Sequence, residues 1–157
     1  MTLRPQSDSQ FTSPAQRVLD CEMPIRILIA DDHDIVREGI RTLVTRVRPQ
    51  WEICGEASNG EQAIEAVKSL QPDVAVLDIT MPGMGGLEAA TRIAKLGLKC
   101  RVLIFTMHES PRLSTEAQQA FAHGCVLKSQ ASRDLIRAME ELLAGRTFFG
   151  CQTELPR

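Results

Sequence analysis

Apolar positions along the chain follow two alternating rhythms. Short runs at residues 25–30, 51–57, 74–77, 101–106 and 125–127 read as strands, and the unbroken run at 74–77 carries the signature of a strand buried on both faces of a parallel sheet. Between them lie stripes at helical spacing. Ile35, Val36, Ile40, Leu43, Val44 and Val47 form the first, closed by Pro49. Ala63, Ile64, Val67 and Leu70 form the second, closed by Pro72. Leu87, Ala90, Ile93, Ala94 and Leu96 form the third, stopped by Gly97. A weaker helix is expected over 111–122, where Gln118 and Gln119 dilute the apolar face. The last stripe is Leu135, Ile136, Met139, Leu142 and Leu143, with Ser132 or a neighbour as cap and Gly145 as stop. Five βα units in strict alternation predict an α/β fold: a parallel sheet with right-handed crossovers and helices on both faces.

The flanks lack this order. Residues 1–23 are rich in Ser, Gln, Thr and Pro and are expected to form a disordered N-terminal tail. Met23 directly precedes the first strand and is an alternative start. Residues 24–148 make the domain and 149–157 a short C-terminal tail.

Composition narrows the function classes. At 157 residues and a net charge of −2, the chain offers no electrostatic case for nucleic acid or an anionic membrane. Tyrosine is absent and there is one tryptophan, which argues against a base-stacking surface. No stretch is long and apolar enough for a membrane span or a signal peptide. The five cysteines, Cys21, Cys54, Cys100, Cys125 and Cys151, are scattered without metal-ligand spacing. They are expected to be reduced thiols of a cytoplasmic protein.

The chemistry gathers at strand ends. Asp31 and Asp32 end the first strand, Asp78 the third, Thr106 the fourth and Lys128 the fifth. Pro82 and Gly83 to Gly86 follow Asp78 closely, so that aspartate stands at the sheet edge where open α/β folds bind ligands. With strand order 2-1-3-4-5, the first and third strands are neighbours and three carboxylates meet in one crevice. A hard divalent cation such as Mg²⁺ relieves their repulsion and leaves room for phosphate oxygens. Lys128 and Thr106 suit phosphoryl oxygens, and Asp78 suits a nucleophile that forms an aspartyl phosphate. Each residue alone is unremarkable; four strand ends carrying this set on one edge are not.

These segments resemble the CheY-like receiver domains of two-component response regulators. The resemblance rests on residues 27–33, on 77–86, on 103–106 and on 124–128, and it covers about residues 24–148. The Asp31-Asp32-His33 opening and residues 106–110 resemble the NarL/FixJ subfamily, whose members often carry a LuxR-type helix-turn-helix. The resemblance implies a flavodoxin-like (βα)5 doubly wound sheet. It implies that a sensor histidine kinase or phosphotransfer protein phosphorylates Asp78, with slow autodephosphorylation afterwards. It assigns Mg²⁺ to Asp32, Asp78 and the Thr80 carbonyl, with Asp31 acting through water. Thr106 and Lys128 would hold the phosphoryl oxygens, and Thr106 would pull on the face formed by the fourth helix, fifth strand and fifth helix. Partners would read that face, and a homodimer would add a second copy of the chain as a partner.

Three positions depart from the family pattern. Cys125 stands where an aromatic switch residue usually follows the Thr106 movement. Phe121 replaces a usual glycine, and Ser129 replaces a proline after Lys128. These departures predict normal phosphorylation with weakened coupling. Only residues 146–157 follow Gly145, too few for a DNA-binding domain, so this chain is expected not to bind DNA directly. It would be a stand-alone receiver or a truncated DNA-binding regulator. Rival readings are a degenerate, phosphorylation-independent interaction module and a haloacid-dehalogenase-type phosphatase, which would need an Asp where Thr80 stands. His33, His108 and His123 are expected to do no chemistry.

Overall fold

The computed structural model describes residues 23–107 and 109–151. The expected tail over residues 1–22, His108 and residues 152–157 lie outside the described residues. In chain order the elements are β1 (Arg26–Ala30), α1 (Asp34–Val47), β2 (Glu52–Ala57), α2 (Gly60–Leu70), β3 (Val74–Leu77) and α3 (Gly86–Ala94). There follow β4 (Arg101–Thr106), α4 (Leu113–Gln119), β5 (Gly124–Leu127), a 3-10 turn (Lys128–Gln130), α5 (Ala131–Leu143) and β6 (Phe148–Phe149). The sheet order is β2-β1-β3-β4-β5-β6, and every neighbouring pair is parallel. The expected doubly wound order is present, and β6 extends it by one strand.

Strand alternation divides the interior into two cores. Ile27, Ile29, Val74, Val76, Leu103, Phe105 and Val126 face α1 and α5, where Ile40, Val44, Leu135, Met139 and Leu142 close over them. Leu28, Ala30, Ala75, Leu77, Val102, Ile104 and Cys125 face the other way, onto Ala63, Val67, Ala90, Ile93, Leu113 and Ala117 of α2, α3 and α4. β3 and β5 are apolar throughout because both of their faces are covered, while the edge strand β2 carries exposed Glu52 and Glu56.

Four expectations change. The fourth helix spans only Leu113–Gln119, not 111–122. It ends where Phe121 enters the left-handed region at φ 68° and Ala122 N–H donates back to the Ala117 carbonyl, a helix-terminating turn. Ser132 does not cap α5. The 3-10 turn from Lys128 runs directly into the helix, Ala131 N–H bonds the Lys128 carbonyl, and Gln130 at the cap makes no side-chain bond. Reduced thiols are overturned at two positions, since Cys125 and Cys151 form a disulfide. Cys54 and Cys100 are free, and Cys21 lies outside the described residues. The pair lies 26 residues apart in sequence, a separation that conceals how closely the chain returns to β5. Finally, β6 crosses the expected domain end at residue 148, and Cys151 is buried. The described peptide bonds are all trans, Lys128–Ser129 included.

Candidate functional site

Strand pairing sets the site. Asp31 N–H donates to the Ala57 carbonyl and Asp78 N–H to the Ala30 carbonyl, which extends the ladder by one residue past the ends of β1 and β3. The two aspartates are thus fixed by backbone bonds on adjacent strands. The Arg37 guanidinium donates to the Asp31 carbonyl and, through Nε at 2.8 Å, to Glu56 Oε1, which braces the first loop. Below Asp78, Gly86 packs so closely that a Cβ there would lie 2.1 Å from the Asp78 carbonyl oxygen. That position must be glycine for α3 to begin beside the site, and Gly86 N–H completes the turn on the Ile79 carbonyl at 2.9 Å.

Asp31 and Asp78 are buried, while Asp32 is exposed. Carboxylate oxygens of Asp31, Asp32 and Asp78 and a ring nitrogen of His33 all lie within 4.8 Å of one another. Lys128 reaches across from the end of β5. Its Nζ is 2.7 Å from Asp31 Oδ2 and 3.5 Å from Asp78 Oδ2, and its side chain is only 12% exposed. Lys128 and all three aspartates therefore share one rim of the sheet. Thr106, fully buried, ends β4 opposite Leu127, the residue before Lys128. Thr80 sits two residues past Asp78 in the exposed turn. Cys125 lies one strand over, paired with Ile104 and pointing into the core beneath the rim.

His33 was not singled out by its sequence position beyond adjoining the acidic pair. Its Nδ1 stands 3.1 Å from both Asp31 Oδ1 and Asp32 Oδ1, and its N–H donates to Asp31 Oδ1 at 2.9 Å. The signal available was that adjacency: a residue starting α1 directly after two aspartates cannot turn far from them.

Burial pushes the Asp78 carboxyl above the usual carboxylate range; Lys128 opposes this and Asp31 reinforces it. Asp31 Oδ2 is buried with no hydrogen bond of good geometry, held only by its ion pair to Lys128. The three carboxylates, one of them with a buried oxygen that the Lys128 ammonium alone meets, fit a hard cation such as Mg²⁺.

A doubly wound parallel sheet with three carboxylates and a lysine at one strand-end rim defines a flavodoxin-like α/β domain with an acidic strand-end site. The chain belongs to the response regulator receiver domain family, whose model matches residues 27–140. It is 38% identical over 122 residues to the nitrate/nitrite response regulator protein NarL of Escherichia coli (strain K12), covering 78% of this chain and 56% of that protein. It is 31% identical over 128 residues to the response regulator GacA of Pseudomonas aeruginosa, covering 82% and 59%. Among solved structures, a LuxR-family two-component response regulator from Aurantimonas sp. SI85-9A1 superposes with a TM-score of 0.75 at 40% identity, covering 80% of this chain and 89% of that one. The chain spans somewhat more than half the length of the curated relatives it matches. It is a receiver of the NarL/LuxR type, and among the described residues no helix is long and apolar enough to cross a membrane.

Proposed function

We propose that Asp78 is the phosphoacceptor of this receiver and that the reaction depends on Mg²⁺. The observation that carries the reading is the Lys128 ammonium 3.5 Å from one Asp78 oxygen, inside a cluster of acidic groups within 4.8 Å. An Asp78 oxygen attacks the phosphorus of a phosphohistidine on a sensor histidine kinase or phosphotransfer protein. The O–P bond forms, the P–N bond breaks, and the leaving imidazole takes up a proton. Asp32, Asp78 and the Thr80 carbonyl would hold Mg²⁺, with Asp31 acting through water; the cation would neutralise charge on the phosphoryl oxygens. Lys128 and Thr106 bind those oxygens. Water later attacks the acyl phosphate slowly and resets the site.

The phosphoryl group adds a charge of about −1.5 to −2 at the strand-end rim. Thr106 carries that change toward β5 and Cys125, and the face built from α4, β5 and α5 passes it to a partner or a second copy of the chain, with transcription as the regulated output. A phosphohistidine donor implies a cytoplasmic setting.

The test is labelling with acetyl phosphate and Mg²⁺. One phosphoryl group per chain is expected by intact mass, lost in Asp78→Asn and with EDTA. Unlabelled wild-type protein would overturn the reading and favour a phosphorylation-independent interaction module, the alternative that Cys125 at the switch position supports.

A further inference from the structure

The last four described residues lie on the face just named, and the phosphoacceptor reading gives them no task. β6 pairs with β5 at Gly124↔Phe148 and Cys125↔Phe149. Phe148 N–H donates to the His123 carbonyl at 3.2 Å and Cys151 N–H to the Cys125 carbonyl at 3.0 Å. The Phe148 ring lies beneath the Arg137 guanidinium of α5 at 5.4 Å. On the other side the fully buried Cys151 Sγ stands 3.6 Å from Ser114 Oγ of α4. One short segment thus touches α4, β5 and α5 together and covers the outer edge of the sheet.

Noncovalent contacts hold it weakly. A two-residue edge strand paired to β5 at two positions belongs to the fraying class of structure. The Cys125–Cys151 bond, across a Cα–Cα distance of 5.3 Å, converts this contact into a fixed one. Elsewhere the described thiols are poorly suited to exchange. Burial pushes the Cys54 thiol up and the Cys100 thiol to about 12, which disfavours the thiolate at both. In a reducing compartment a lasting disulfide is unusual, and those that form are mostly transient and regulatory.

We propose that Cys125 and Cys151 form a reversible thiol–disulfide site, acted on by dithiol reductants, that fixes or frees residues 148–151 on the β5 edge. A thiolate of the dithiol attacks one sulfur as the segment frays, and the Cys125–Cys151 S–S bond breaks. The second thiol of the reagent then displaces the mixed disulfide and closes the reagent's own S–S bond. Two electrons and two protons pass to the protein, which ends with two thiols. A low-molecular-weight disulfide such as oxidised glutathione reverses the step. In the reduced chain the His123 and Cys125 carbonyls lose the Phe148 and Cys151 N–H donors, and the β5 edge opens to new strand pairing. The inference goes beyond the phosphoacceptor reading and takes from it only the reducing setting that a phosphohistidine donor implies.

The test uses the full chain. After incubation with oxidised glutathione and digestion without reductant, mass spectrometry should find the Cys125 and Cys151 peptides linked, and dithiothreitol should separate them. Hydrogen exchange at the Phe148 and Cys151 amides should be at least tenfold faster in dithiothreitol and slow again after reoxidation. Cys151→Ser should exchange at the fast rate under both conditions, while Cys54→Ser should match wild type. Absence of the linked peptide under oxidised glutathione overturns the proposal, as does amide protection that reduction leaves unchanged. Because neither readout involves phosphate, labelling of Asp78 succeeds or fails separately.

Discussion

On the β1–β3 side of the crevice, charge is concentrated. Three carboxylates occupy two adjacent strand ends, two of them buried, and they repel one another. On the β4–β5 side the strands end in a buried hydroxyl, and the outer edge is apolar, covered by β6 and closed by a disulfide. The first side holds destabilising charge in place by backbone bonds; the second holds weak contacts in place by a covalent one. Lys128 joins them. It is supplied by β5, yet its ion pairs are with Asp31 and Asp78. The difference teaches that the acidic side is not self-sufficient: its cation must come from the opposite side or from solution.

Removing that cation should break the comparison most strongly. Lys128→Met leaves two buried carboxylates without their ammonium partner. Losing one partner of a buried ion pair costs about 3 kcal/mol. Urea denaturation at pH 7 with EDTA should show a loss of that size, partly recovered by millimolar Mg²⁺. The sign of its pH dependence follows from Asp78. A carboxyl whose folded pKa is raised destabilises at neutral pH, and the penalty is relieved as pH falls through the folded value. The Lys128→Met deficit should therefore shrink on mild acidification. A deficit that is under 1 kcal/mol and flat with pH would mean the acidic side holds itself together.

How far each side was legible in the sequence follows the same division. Asp31, Asp32, Asp78, Thr106 and Lys128 could be placed because each follows an apolar run, and a strand's end is a local signal. The sheet order then brought them to one rim. The Cys125–Cys151 pair had no local signal. It requires the chain to turn at Gly145, where φ is +87°, and return along β5 through a strand of two residues, too short to show a period. Ser132 misled for a related reason. A polar residue before an apolar stripe looks like a cap, but the 3-10 turn after Lys128 already supplies the carbonyls that start α5.

The opposite rim gives a control, because it titrates without any acidic cluster. His123 Nδ1 accepts a hydrogen bond from Val102 N–H at 3.0 Å, so the ring is held neutral there. Burial, then the nearby Arg101, lower its pKa. The unfolded chain takes up a proton near pH 6.5 while the folded chain resists, so stability is full above that value and falls as pH drops below it. One such group contributes a slope of at most about 1.4 kcal/mol per pH unit. His123→Gln should flatten the stability profile just below pH 6.5, and the His123 ring resonances should titrate with a midpoint under 6.5. An unchanged profile would move the acid sensitivity back to the carboxylate rim.

The smallest effect tests how much the β4–β5 side depends on ordinary packing. Phe121 sits at φ 68°, where a side chain costs about 1–2 kcal/mol relative to the right-handed region, and it is 59% exposed. Glycine removes that cost but adds about 0.5–1 kcal/mol of backbone entropy. The ring also contributes a partial wall to a cavity of about 760 Å³ shared with Ile93, Leu98 and Leu143. The balance favours Phe121→Gly by about 0.5 kcal/mol, a rise of about 1–2 °C in Tm for a domain of this size. Phe121→Asn, which tolerates the left-handed region, should move the same way. A loss of more than 1 kcal/mol in both variants would show that the exposed ring pins the end of α4. The disulfide would then have a noncovalent counterpart on the same side of the molecule.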